Sequence, residues 1–424
     1  MNTRVRLGPV VALLTLATCA WFAVSVAQPF GEERLVFGLW RTWSFAIGVL
    51  LCWLTACAAS VLISRRALFR AIFASVLLAI TWTLAEAIGL LGWVPYKDLI
   101  QAPWRPLLAV DLTPMLDIRG QTYQDMTIRW GVPSEAITFH FKTDRYGFRN
   151  HVDRENADVY VVGDSIVVAG KLPFEQTVTS RLEQILGRPV MNLAKSASGP
   201  QEQREMFHSA GVPVRNRIVL HVLFEGNDLQ DSAEYRYRIM GIPPARTLAD
   251  RSFTRNVFWL LARITHARFS RAHEYRGRVG DEDYFFFYCR ERFIDTAPEF
   301  EHLRRTLEQF RTEIVAGGGT YAVVIIPTKL RTLGPICDWP QDSILSDDDE
   351  HLSPLRDLLH QWADETGVPI CDVTDDLERS ATQGDIPWFP IDSHLNATGH
   401  QVIADSVASS TPIREFLSRH LTAQ

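Results

Sequence analysis

Three apolar stretches, each about 20 residues long, crowd into the first 95 residues of this 424-residue chain. That is the length needed for a helix to cross roughly 30 Å of hydrocarbon. They run over residues 8–30, 43–63 and 71–94, and Glu86 is the only charged residue in the second and third. In a bilayer a single apolar segment satisfies its backbone polar groups only as a helix. The spacing therefore predicts three transmembrane helices and a membrane anchor over residues 1–96. The first stretch also fits a signal peptide, with Arg4 and Arg6 ahead of it and small residues near Ala27, and that alternative stays open. Arg4 and Arg6 before the first span, and Arg65, Arg66 and Arg70 between the second and third, place those two regions in the cytoplasm. The N-terminus is then cytoplasmic, and everything after Tyr96 lies outside whether or not the first stretch is cleaved. Trp40, Trp43, Trp93 and Trp104 fall near the predicted membrane surfaces, where indole rings favour the interface. Glu86, inside the third span, is read as a helix-contact or snorkelling carboxyl.

The remainder reads differently. A net charge of −6 argues against a nucleic-acid partner. Residues 97–155 form a proline-containing linker with short strand-like pieces such as residues 137–141. From residue 156 short apolar runs alternate with helical segments. Strands are predicted over 158–163, 189–193, 217–224, 320–326 and 368–373. Helices are predicted over 174–186, 201–210, 298–315, 354–366 and 397–418. Strands that are apolar throughout, separated by helices, indicate an α/β fold with about five parallel strands covered on both faces. Cys289, Cys337 and Cys371 fall in this outer part, which leaves room for one disulfide, with Cys371 the odd one in a predicted buried strand. Their spacing matches no metal site.

The polar residues cluster at the predicted strand ends. Gly163-Asp164-Ser165 follows the first strand, Ser198-Gly199-Pro200 the second, and Glu225-Gly226-Asn227-Asp228 the third. Asp392-Ser393-His394 precedes the last helix. Each block alone is an ordinary turn or helix cap. Together they have the parts of a serine acyl-transfer site. A hydroxyl needs a neutral imidazole to take its proton, an acid to fix the imidazole, and donors for the oxyanion. Ser165, His394 and Asp392 can fill the first three roles. The N–H groups of Ser165 and Gly199, with the Asn227 amide, can form the oxyanion hole.

These four blocks, in this order over about 270 residues, resemble those of the SGNH hydrolase family, also called GDSL esterases. The resemblance implies a flavodoxin-like three-layer α/β/α domain over residues 156–424, no metal and no cofactor. It carries the family's serine, glycine, asparagine and histidine onto Ser165, Gly199, Asn227 and His394. Tyr146-Gly147-Phe148-Arg149-Asn150 and Ile326-Pro327-Thr328-Lys329 resemble a branch associated with bacterial exopolysaccharide modification. That branch implies a bacterial inner-membrane protein with a periplasmic catalytic domain. One position departs from the pattern: the family's usual acid lies three residues before the histidine, where this chain has Ile391. Asp392 must then fold back across the small Ser393, with Asp385 as the fallback acid.

An insertion over residues 228–318 is rich in arginine. Residues 231–280 hold ten Arg, four acidic residues and no Lys. Residues 252–273 read as a basic amphipathic helix, either packed on the domain or facing anionic lipid or glycan. The expected function is a serine esterase or O-acyltransferase acting on O-acetyl groups of an exported polysaccharide. The transferase version needs a multi-span membrane acyltransferase partner to bring the acyl donor across. The alternatives are a lipid-directed, lysophospholipase-like esterase and a catalytically silent glycan-binding scaffold of an export complex.

Overall fold

The computed structural model of the chain describes residues 13–20, 48–49, 51–56, 65–96, 99, 112–130, 132–239, 251–264, 272, 274–288, 296–341, 343–345 and 352–421. Contacts divide the chain into two compact units, residues 1–105 with 245–270, and residues 106–244 with 271–424. The linker predicted over 97–155 thus belongs mostly to the second unit. The middle of the arginine-rich insertion joins the first.

In the first unit, one described helix is long and apolar enough to cross a membrane, the 23 residues Leu68–Leu90. It forms most of the helix Arg65–Leu90. Arg65, Arg66 and Arg70 therefore sit in its first turns and not in a loop, because arginine is a good helix former and nothing there breaks the pattern. The predicted spans 8–30 and 43–63 lie mostly outside the described residues; their described parts, 13–20, 48–49 and 51–56, are helical. The amphipathic helix predicted over 252–273 is present as Phe253–Ile264. Its start is fastened to the apolar helix. The Glu86 carboxylate accepts the Thr254 N–H and the Thr254 hydroxyl, both at 2.8 Å. The Trp82 indole N–H donates to that hydroxyl at 2.8 Å. The Phe253 ring packs 5.1 Å from Trp82 and 5.0 Å from Tyr96. Glu86 thus satisfies a first-turn N–H that has no partner within its own helix.

The second unit is built on a five-stranded parallel sheet. Its strands are β3 (Val159–Val162), β4 (Val190–Asn192), β5 (Ile218–Phe224), β8 (Thr320–Ile326) and β9 (Ile370–Asp372), in the order β4-β3-β5-β8-β9. The first strand is thus flanked by the second and the third, the doubly wound order of flavodoxin-like folds. Both sheet faces are covered. Val159, Val161, Leu220, Val222, Val324 and Ile326 meet Leu182, Leu377, Ile403 and Phe416 in one core. Tyr160, Val162, Val219, Leu223, Val323 and Ile325 meet Phe207, Leu303, Leu307, Phe310 and Trp362 in the other. That double burial is why the strands lack polar alternation. Truncating a fully buried Leu307 or Leu359 to Ala would cost about 2–5 kcal/mol.

The helices predicted over 201–210, 298–315 and 354–366 are present as Pro200–Ala210, Thr296–Ala316 and Leu355–Thr366, and the one over 174–186 as Val178–Leu186 after a short 3-10 turn. The helix Thr374–Thr382, which carries Leu377 into the core, is not predicted. The last segment is two helices, Ala397–Ser409 and Thr411–Leu421, separated by an extended Ser410. Pro412 explains the break, since its ring and missing N–H cannot continue the preceding helix. Two antiparallel ribbons complete the unit. β1 (Asp117–Thr122) pairs with β2 (Ile137–Lys142), and β6 (Arg276–Val279) pairs with β7 (Glu282–Phe285). Phe139 and Phe141 of β2 enter the same core as Ile166, Val167 and Val168. The segment before residue 156 is therefore structural to the domain.

Candidate active site

Ser165 opens the short helix Ser165–Val168 directly after β3, at the point where strand order reverses between β3 and β5. Ligands bind at such switch points, at the carboxyl ends of strands. Asp164 caps this helix by accepting the Ile166 N–H at 2.9 Å. Arg149 grips the other end. Its guanidinium donates to the carbonyls of Val168, Ala169 and Leu172 at 2.6–2.7 Å. Burial pushes that guanidinium down to about 10. Ala169 takes a left-handed conformation with φ 47°, unfavourable for a residue with a Cβ, and the Arg149 contacts hold it. Asn150 tethers β4, donating to the Asn192 carbonyl and accepting the Asn192 N–H, both at 2.9 Å. The two motif residues Arg149 and Asn150 thus fix the platform under Ser165.

His394 reaches Ser165 from the loop before the helix Ala397–Ser409. The Ser165 hydroxyl lies 2.9 Å from His394 Nε2, and His394 Nδ1 lies 2.6 Å from Asp392 Oδ1. Asp392 folds back by an Asx-type turn, its Oδ1 also accepting the His394 N–H at 3.1 Å. Burial alone would raise the Asp392 carboxyl. The Lys171 ammonium and the His394 imidazole outweigh it and hold the carboxyl well below the usual range. An ionised carboxylate only accepts, so Nδ1 carries the proton and Nε2 is free to accept from Ser165. The fallback acid, Asp385, instead lines a separate groove with Arg181, Asp376 and Arg379.

Three residues outside the predicted set surround this pair. Asp392 Oδ2 accepts the Lys171 ammonium and, at 2.8 Å, the Asp125 N–H. The Asp125 side chain accepts the Ser393 N–H at 3.0 Å and the Ser393 hydroxyl, and stands 3.8 Å from His394 Nδ1. Asp125, Asp392 and His394 are close enough together for a small cation, and the cation placed against Asp392 is Lys171. Lys329 is fully buried and donates to the carbonyls of Phe285, Phe389, Pro390 and Asp392 at 2.6–3.1 Å. Burial pushes its ammonium down to about 7, with Asp125 and Asp392 opposing that. The rings of Tyr284 and Phe286, from β7 and just beyond it, lie 5.1 and 5.6 Å from Lys329 Nζ. Lys329 thereby shapes the loop that carries the acid.

Two of the three expected oxyanion donors have other partners. The Asn227 amide donates to Asp164 at 3.2 Å and to Asp231 at 2.9 Å. The Gly199 N–H donates to Glu202 at 3.3 Å. Asp231 lies one turn beyond Asn227 in the helix Asp228–Ile239, which accounts for its reach. Burial raises the Asp231 carboxyl well above its usual range, with repulsion from Asp164 adding to it. Gly199 serves helix packing: a Cβ there would lie 2.9 Å from the Asp231 backbone carbon, so the close approach is to the chain itself. The Ser165 N–H sits in a first helical turn, where an N–H has no acceptor in its own helix.

A buried polar relay supports this side of the site. His221, inside β5, lies 2.7 Å from the Tyr321 hydroxyl and 2.8 Å from Gln203 Oε1. The amide oxygen of Gln203 can only accept, so His221 donates from Nε2 and accepts from Tyr321. Gln203 then donates to the Ser198 carbonyl at 2.8 Å. Burial pushes the His221 imidazole down to about 3, so it stays neutral. Glu225 links the ends of β5 and β8 by accepting the Thr328 N–H at 2.9 Å and the Arg331 guanidinium. Asp125, Lys171, Arg149, Lys329 and Glu225 were not assigned roles from the sequence. Arg149, Lys329 and Glu225 stand within motif blocks; Asp125 and Lys171 carry no local signal.

No family model matches the chain, and no curated protein matches it. Among solved structures it is similar to a lipolytic protein of the G-D-S-L family from Desulfitobacterium hafniense DCB-2, at 10% identity and a TM-score of 0.30, covering 60% of this chain and 98% of that one. It is also similar to the acetyl xylan esterase AlAXEase, at 11% identity and a TM-score of 0.32, covering 59% and 98%. A GDSL-like lipase from Parabacteroides merdae ATCC 43184 aligns at 12% identity and a TM-score of 0.31, covering 60% and 95%.

Proposed function

We propose that this chain is a serine esterase of the SGNH type, with Ser165 as nucleophile, His394 as base and Asp392 as the orienting acid. One observation carries the reading. Ser165, His394 and Asp392 form a continuous hydrogen-bonded row at the switch point of the sheet. In that row His394 Nε2 takes the Ser165 proton as the hydroxyl oxygen attacks an ester carbonyl, and the imidazolium that forms is stabilised by Asp392. The proton passes to the leaving alcohol, and water or a sugar hydroxyl then releases the acyl group by the reverse sequence. Stabilising the oxyanion through Asn227 requires its amide to turn away from Asp231 as substrate enters.

Esterase activity on p-nitrophenyl acetate tests this directly. Ser165→Ala should abolish turnover and leave folding intact, because losing the nucleophile of such a unit costs several orders of magnitude. Retention of about a tenth of wild-type turnover would remove Ser165 from the role.

The finer reading is that the acyl group is an O-acetyl group of an exported polysaccharide, handled outside the cytoplasm by a domain anchored through the N-terminal spans. The motif blocks around Arg149 and Lys329, and the arginines flanking the N-terminal apolar stretches, support it. Purified chain incubated with an activated acetyl ester and oligosaccharide acceptors should yield acetylated sugar if it is a transferase. Release of acetate alone would make it a hydrolase.

A further inference from the structure

The segment before the α/β domain does more than connect. Residues 124–126 and 391–393 interlock through five hydrogen bonds. Ile391 N–H donates to Gln124 Oε1 at 2.9 Å, and Met126 N–H to the Ile391 carbonyl at 3.1 Å. Asp125 N–H donates to Asp392 Oδ2 at 2.8 Å, and Ser393 donates both its N–H and its hydroxyl to the Asp125 carboxylate. Every residue of the acid loop is therefore fixed from a segment about 267 positions away. Asp125 and Asp392 are buried at 4% and 0% exposure, and the Lys171 ammonium is paired with Asp392.

This arrangement poses a question of charge. Lys171 binds Asp392, which weakens the field that Asp392 exerts on the imidazole. A second carboxylate, that of Asp125, stands 3.8 Å from Nδ1. We propose that Asp125 is a positioning residue for His394, holding the acid loop in place and supplying the negative charge that Lys171 offsets on Asp392. The proposal rests on the esterase reading above. The other ionisable groups around this centre are Asp164 at the end of β3, Lys329 behind the Asp392 carbonyl and His400 on the following helix. None of them hydrogen-bonds Ser393.

The test uses the full chain in detergent, p-nitrophenyl acetate as substrate and the pH profile of kcat/KM. Asp125→Asn preserves shape and can still accept the Ser393 N–H, so it removes charge with little disturbance. It should lower kcat about tenfold with KM nearly unchanged, and move the acid limb to lower pH. The sign follows from the charge: with less negative charge nearby, the imidazole loses its proton at lower pH. Lys171→Met leaves the 124–126 contacts in place and should move the same limb to higher pH. General damage to the fold would lower the plateau and leave the limb where it was. An acid limb unmoved in either variant overturns the proposal. Ser165→Ala distinguishes failure of this proposal from failure of the esterase reading. If that variant remains active, the esterase reading fails; if it is dead while Asp125→Asn matches wild type, this inference alone fails.

Discussion

At the scale of single residues, the acid depends on its neighbours as much as on its own position. Asp392→Asn would not leave the amide free to choose its orientation. Lys171 and the Asp125 N–H both donate to the Oδ2 position, so the amide oxygen must sit there. The NH₂ group then faces His394 Nδ1 and forces the proton onto Nε2, the wrong tautomer for accepting from Ser165. Turnover should fall by roughly 10³ to 10⁴, measured as kcat on a small ester. A fall of less than about tenfold would show that the imidazole keeps its tautomer without Asp392. The row itself was legible in the sequence, although Ser165 and His394 stand 229 positions apart, because each sits in a motif block at a predicted strand or helix end and Asp392 lies two residues from His394. Lys171 and Asp125 were not legible, because neither stands in a motif block and no spacing rule links them to Asp392, 221 and 267 positions away. The oxyanion side was only half legible, since the block pattern marks Asn227 but does not say what its amide donates to.

At the scale of elements, strands buried on both faces announced themselves. Thr320–Ile326 was found at its full length, and Ile218–Phe224 within one residue, because both are apolar throughout. The ribbon of β6 and β7 was missed because its strands have four residues each and are rich in charge. Glu86 is read from the sequence as a helix-contact or snorkelling carboxyl, but its partner in the helix Phe253–Ile264, 168 positions away, was not legible. The effect of this joint can be measured. Glu86→Ala removes the acceptor of a first-turn N–H and should weaken the start of that helix by about 0.5–2 kcal/mol. Trypsin should then cut faster at Arg251 or Arg255, read by mass spectrometry of short digests. Equal cutting in wild type and variant would show that the ring contacts of Phe253 hold the helix start unaided.

At the scale of the whole molecule, the anchored, exported reading predicts a cytoplasmic N-terminus and an outer C-terminus. Alkaline phosphatase fused after Gln424 should be active, and a reporter that works only in the cytoplasm should be silent there. The reverse pattern would overturn both the span count and the compartment. The prediction depends on arginines near the spans, a signal that acts during insertion and leaves no packing contact behind.

The interlock between residues 124–126 and 391–393 also has a consequence in time. A ribosome makes Ser165 long before it makes His394, which lies 229 positions later. At about 5–20 residues per second that interval is roughly 10 to 50 s. Throughout it the serine exists without an imidazole to take its proton, and an unassisted hydroxyl is a weak nucleophile. On the proposed esterase reading, the nascent serine lacks its base until residues 391–394 are made and close onto residues 124–126.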